Sequence, residues 1–166
     1  MDSGYQQACD VEKSGCKIII PHLEGKGFKV IPFKKKELQV HGDYIVQNGG
    51  EPYIIEIKTE KNFTGNFFFE IWSNKKRGNP GWIYKLSADW LLYYFEENCR
   101  LYYMHVPVLK KILFDDEIIY QYKEKRQNKY QQKNDTWGCC VPINAIMGHE
   151  LSEGGRYFKI EEVLPF

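Results

Sequence analysis

Residues 42–58, Gly42-Asp43-Tyr44-Ile45-Val46-Gln47-Asn48-Gly49-Gly50-Glu51-Pro52-Tyr53-Ile54-Ile55-Glu56-Ile57-Lys58, decide the reading of this chain. Two runs rich in β-branched and aromatic residues flank Asn48-Gly49-Gly50, the composition of a tight hairpin turn. With Gly49-Gly50 as the two-residue loop, Asn48 faces Glu51, and the numbers of facing residues add to 99. That register sets Asp43 directly opposite Glu56, with Cβ atoms about 4.5–5.5 Å apart. Lys58 shares the Glu56 face, because strand side chains alternate with period two. Facing like charges destabilise a strand pair. An acidic pair kept there, with an ammonium two residues on, reads as a site built to hold a cation.

A divalent metal meets that requirement. Hard cations such as Mg²⁺ take oxygen ligands and are often held by only one or two carboxylates, water and substrate phosphate completing the shell. Asp43 and Glu56 supply the carboxylates, and the backbone carbonyl of Ile57 is a natural third oxygen. Mg²⁺ or Mn²⁺ held there lowers the pKa of a bound water and polarises a phosphate. Lys58 is placed to orient that water or to stabilise the pentavalent phosphate. An Asp followed on the next strand by Glu-x-Lys is thus a set of groups suited to phosphodiester hydrolysis.

On these residues, Asp43 and Glu56-Ile57-Lys58, the chain resembles the PD-(D/E)XK, or restriction-endonuclease-like, nuclease superfamily. The order of elements is similar too: an N-terminal helical segment, then strands, with the acidic pair on a hairpin. The motif itself covers residues 42–58, and weaker likeness runs from the N-terminal segment to about Val106. One departure is Gly42, where the family pattern has proline. The resemblance implies an α/β fold, a central mixed β-sheet flanked by helices, in one nuclease-like domain over residues 1–166. It implies a Mg²⁺- or Mn²⁺-dependent deoxyribonuclease, with Asp43, Glu56 and Lys58 catalytic and Asp43, Glu56 and the Ile57 carbonyl on the metal. Glu12 joins the metal candidates because related nucleases often carry an acid on the first helix. DNA is the implied partner, and many nucleases of this fold form homodimers. Phage or mobile-element biology, in DNA processing, recombination, repair or restriction, is the implied setting. Two rivals stand beside this reading: a catalytically inactive nucleic-acid-binding module of the same fold, and an interaction or inhibitor protein indifferent to metal.

Length and composition set the bounds. The 166 residues suffice for one domain with a substantial core. A composition of 43% hydrophobic and 27% charged residues is that of an ordinary soluble protein, and the net charge of +1 neither supports nor excludes nucleic acid. Twelve Tyr and ten Phe suit a β-rich core and offer surfaces on which bases stack. The N-terminus lacks a basic region followed by an apolar run, and no segment is long enough to span a bilayer, so a cytoplasmic protein with no membrane partner is expected. The five cysteines are odd in number and have no zinc spacing. The iron–sulfur cluster of some family members is not expected, because the C-terminal pair is the adjacent Cys139-Cys140.

Along the chain, residues 5–25 have helical spacing, with Pro21 expected to kink or split the helix and Gly25-Lys26-Gly27 to end it. Strands are expected at 28–33, 42–47, 52–59, 66–72, 88–95 and 101–106, a loop at 59–62 and a short helix at 82–87. Pro107 can open a helix, residues 116–132 form a helix or an excursion, and the last segment adds one or two edge strands. Glu70 is a second additional metal candidate, because a carboxylate amid Phe67, Phe68 and Phe69 is costly unless paired or metal-linked. Phosphate contacts fall to the lysine clusters, chiefly Lys34, Lys35 and Lys36, and Lys75, Lys76 and Arg77.

Overall fold

The computed structural model describes residues 3–33, 42–127, 135–152 and 156–164. Its strands are β1 (Lys29–Pro32), β2 (Tyr44–Gln47), β3 (Tyr53–Glu60), β4 (Asn66–Asn74), β5 (Asn79–Pro80), β6 (Trp90–Phe95), β7 (Arg100–His105), β8 (Glu124–Arg126), β9 (Trp137–Pro142) and β10 (Phe158–Glu162). Its helices are α1 (Ser3–Gly25), α2 (Trp82–Lys85), α3 (Val106–Lys110) and α4 (Ile143–Met147). Among the described residues no helix is long and apolar enough to cross a membrane. The chain divides into two compact units, Met1–Phe63 with Ser87–Val106 and Tyr157–Phe166, and Thr64–Leu86 with Pro107–Arg156.

The first unit is built on a six-stranded mixed sheet in the order β1-β2-β3-β6-β7-β10. All neighbours are antiparallel except β3 and β6, which run parallel, Ile55 beside Trp90 and Lys58 beside Tyr93. A parallel pair needs a crossover connection, and the chain spends residues 61–89 on it. β6 reads Trp-Leu-Leu-Tyr-Tyr-Phe, buried from Leu91 onward, the unbroken apolar run of a strand covered on both faces. α1 lies on one face of this sheet. Ile19 and Leu23 form one core with Val46, Ile55, Ile57, Leu92, Tyr94 and Leu101. Pro21 sits inside α1 without dividing it, so the expected split does not occur. The helix ends where expected: Gly27 takes φ +85°, and Gly27 and Phe28 N–H donate to the carbonyls of Glu24 and Leu23.

The edge strand β10 is fastened through one carboxylate. Glu161 meets His22 Nε2 at 2.9 Å and Lys26 Nζ at 2.5 Å on α1, accepts from the Tyr103 hydroxyl at 2.7 Å, and pairs with Lys159. Burial alone would raise its pKa, but the hydrogen bonds from Lys159, Lys26, Tyr103 and His22 hold it well below the usual carboxylate range. A depressed folded-state pKa contributes stability that is complete above the ordinary value near 4.5 and is lost as the pH falls toward the folded value. Lys26 and Lys159 are 36% and 58% exposed, so screening limits what they add. Glu161→Gln is expected to cost about 1–3 kcal/mol at pH 7, and the gap from wild type should narrow on acidification to about pH 3. Thermal melts at the two pH values test this; equal melting temperatures at pH 7 would rule out the clamp.

The second unit carries a four-stranded antiparallel sheet in the order β5-β4-β9-β8. Phe67, Phe69 and Ile71 face its core, as the alternation in this segment predicts. The central mixed sheet gains its expected C-terminal edge strand as β10, but the segment with Val141 needs correction: β9 lies between β4 and β8, inside a separate sheet. Gly138 permits that pairing, since a Cβ there would stand 2.4 Å from the Phe69 carbonyl and 2.5 Å from the Phe68 ring. In 116–132 the described residues form a 3-10 turn, Ile118–Gln121, and then β8, not a helix.

Candidate active site

β2 and β3 pair in the register read from the sequence: Tyr44 with Ile55, Ile45 with Ile54, Val46 with Tyr53. The expectation that Asp43 directly faces Glu56 needs one correction. The pairing stops at Tyr44, and the Asp43 N–H turns to the Ile55 carbonyl at 2.8 Å. Asp43 reaches β3 through its side chain instead, Oδ2 accepting from the Ile57 N–H at 2.8 Å. Gly42 explains why no proline precedes it. Its φ is +153°, which proline cannot adopt, and a Cβ there would lie 2.5 Å from Ile54 Cγ2 and 2.8 Å from the Ile55 carbonyl.

Glu56 and Lys58 occupy the alternate positions of β3, out of phase with the core residues Ile55 and Ile57. Lys58 Nζ stands 2.7 Å from Glu56 Oε1, the side chains being 26% and 15% exposed. Burial raises the Glu56 pKa; Lys58 opposes this, while the charges of Asp43 and Glu12 add to it. For Lys58 burial acts to lower the pKa, but Glu56, followed by Glu12 and Asp43, more than offsets it, and the ammonium is held above its usual value. The charges of Glu12, from α1, and Asp43, at the head of β2, therefore act on Glu56 and Lys58 of β3.

Sequence reasoning missed two neighbours. Cys16 and Tyr44 are hydrogen-bonded to each other, and both feel Asp43 and Glu12. Burial pushes both pKa values up, leaving thiol and phenol neutral. Cys16 follows Glu12 by four residues, which puts the two on one face of a helix; that spacing was the available signal.

The remaining candidates are dispersed. Glu70 belongs to the second unit, where Oε1 accepts from the Trp82 N–H at 3.2 Å. Lys75 pairs with Glu124 and lies over the Trp137 ring, 4.5 Å from its centroid. Lys76 and Arg77 are exposed in a turn capped by Asn74. Lys34, Lys35 and Lys36 lie outside the described residues. Among the described residues no three His, Cys, Asp or Glu side chains form a group that could hold a metal by themselves. Two carboxylates with open coordination toward water and phosphate are nonetheless a usual Mg²⁺ arrangement. A half-buried Glu56 pressed by the charges of two further acids has the chemistry of such a donor set.

The fold is therefore a mixed α/β arrangement that brings Asp43, Glu56 and Lys58 together at the β2–β3 hairpin. No protein-family profile matches the sequence, and no curated protein matches it. A solved structure of a bacterial homing endonuclease is similar, with a TM-score of 0.41 and 20% identity. The match covers 59% of this chain and 64% of that one, so the chain spans less than two thirds of that protein.

Proposed function

We infer that this protein is a metal-dependent nuclease of the restriction-endonuclease-like type, hydrolysing phosphodiester bonds in DNA. The observation that supports it most is the tie from Asp43 Oδ2 to the Ile57 N–H, which brings that carboxylate to the residue between Glu56 and Lys58. In this reading Asp43 and Glu56, with the Ile57 carbonyl, hold Mg²⁺ or Mn²⁺. Bound there, the ion polarises the scissile phosphate and lowers the pKa of a water. In the same reading Glu12, whose charge acts on Glu56 and Lys58, accepts a proton from that water or orients it. Lys58 contributes a fixed positive charge, kept protonated by Glu56, toward the charge that develops on the phosphate. The setting that follows is DNA processing, recombination, repair or restriction, with a homodimer as one way to cut both strands.

Binding of the ion is testable apart from cleavage. A ligand that binds only the folded state stabilises it by about 2.7 kcal/mol at a hundred times its Kd. For a chain of this length that corresponds to roughly 5–10 °C in Tm. Mn²⁺ is expected to raise the Tm of wild type by that order and to leave Asp43→Ala unmoved. Equal shifts in both would place the metal elsewhere, and no shift in either would remove it from the account.

A further inference from the structure

The second unit carries an aromatic surface that the hairpin site does not use. Tyr84 of α2 and Phe114 stack nearly parallel, with centroids 5.0 Å apart and an interplanar angle of 19°. Tyr84 is 40% exposed and Tyr120 is 64% exposed, and their hydroxyls are hydrogen-bonded. Large aromatics exposed together are uncommon on a surface that has no partner.

The backbone beneath is arranged to present them. After α3 the chain widens into a π turn, Lys111–Asp115, a rare geometry that is frequent at functional sites. It buries Ile112 and Leu113 and leaves Phe114 half-exposed. Lys110 Nζ donates to the Tyr84 carbonyl at 3.1 Å, fixing the peptide that carries the ring. Lys85 and Lys111 are exposed, available to a phosphate backbone; of the acids that follow Lys111, Asp116 lies 3.5 Å from His149, and Asp115 and Glu117 are exposed.

We propose that Tyr84, supported by Phe114 and Tyr120, is a stacking platform for an unpaired nucleobase, with Lys85 and Lys111 receiving the adjoining phosphates. Stacking on aromatic side chains accepts any base, since every base has a π-face, whereas a base inside a duplex is already stacked on its neighbours. The platform therefore selects single-stranded or locally opened nucleic acid over intact duplex. This takes nucleic acid as the partner from the nuclease reading but needs no cleavage.

The test is equilibrium binding of fluorescent single-stranded and duplex DNA oligonucleotides in EDTA, with wild type, Tyr84→Leu, Tyr84→Trp and Lys85→Gln/Lys111→Gln. Tyr84→Leu is expected to weaken single-strand binding between about fivefold and a hundredfold and to leave duplex binding unchanged. Tyr84→Trp, which keeps a flat ring, is expected to retain wild-type affinity and to show that the position folds with a bulky residue. The double lysine variant is expected to reduce the salt dependence of single-strand binding. Wild-type affinity in Tyr84→Leu, or an equal loss on duplex, overturns the platform. Metal-dependent cutting measured in parallel separates the two readings: cutting with unaltered Tyr84→Leu binding defeats only the platform, and single-strand loss without any cutting defeats only the nuclease.

Discussion

Lys58→Ala is expected to lower the rate of metal-dependent DNA cleavage by about 10²–10³-fold, the loss typical of a fixed donor aimed at developing charge. The effect should fall on kcat more than on KM, because a charge positioned for the pentavalent phosphate matters less to the ground state. Substitution also removes the cation that touches Glu56 at 2.7 Å. Without it, burial and the charges of Asp43 and Glu12 act on Glu56 unopposed, and its carboxylate becomes harder to ionise. Metal binding should weaken modestly for that reason, by far less than the loss in rate. Single-turnover cleavage at saturating Mn²⁺ separates the two. Retention of wild-type kcat would remove Lys58 from the chemistry and leave it as the ion-pair partner of Glu56.

Gly15→Ala is expected to destabilise the fold, against the sign that helix propensity alone would give. In an open helix the change gains up to about 1 kcal/mol. Here α1 passes so close to β3 that a Cβ at Gly15 would stand 1.8 Å from Thr59 Oγ1 and 2.8 Å from its Cβ and Cγ2. The helix must lift or Thr59 must be displaced, and forcing extra volume into a packed contact costs about 1–3 kcal/mol. The same displacement would strain β3 one residue beyond Lys58, so activity should fall with stability. Combining Gly15→Ala with Thr59→Ala is expected to recover part of the loss, a coupling that a double-mutant cycle reads directly. A rise in Tm for Gly15→Ala would show that the close approach is not there.

What the sequence revealed and what it hid follow from the range of the interactions involved. The β2–β3 register was legible because Asn48-Gly49-Gly50 and the alternation on either side are local, and Tyr44–Ile55 and Val46–Tyr53 pair as read. The step out of register at Asp43 was not, because it depends on Gly42 adopting φ +153° against Ile54. The second sheet was hidden for a related reason. Phe69 pairs with Cys139, seventy positions along the chain, and alternation in each strand says nothing about its partner. Pro21 misled because α1 is secured by tertiary burial of Ile19 and Leu23, which outweighs the missing hydrogen bond. Of the candidate residues, Asp43 and Glu12 act by their charge on Glu56 and Lys58, whereas Glu70 and Lys75 are engaged within the second unit. A carboxylate in an aromatic strand looks alike whether it caps a backbone N–H or binds a metal, and sequence could not separate those cases.

The central claim is best tested by cleavage of labelled single-stranded, duplex and branched DNA with Mg²⁺, Mn²⁺ or EDTA, wild type beside Glu56→Ala and Lys58→Ala. The account predicts cutting that requires the metal, stops in EDTA and is lost in both variants. Wild-type protein that binds these DNAs but cuts none of them, with binding unchanged by either substitution, would contradict it and leave a nucleic-acid-binding module in its place.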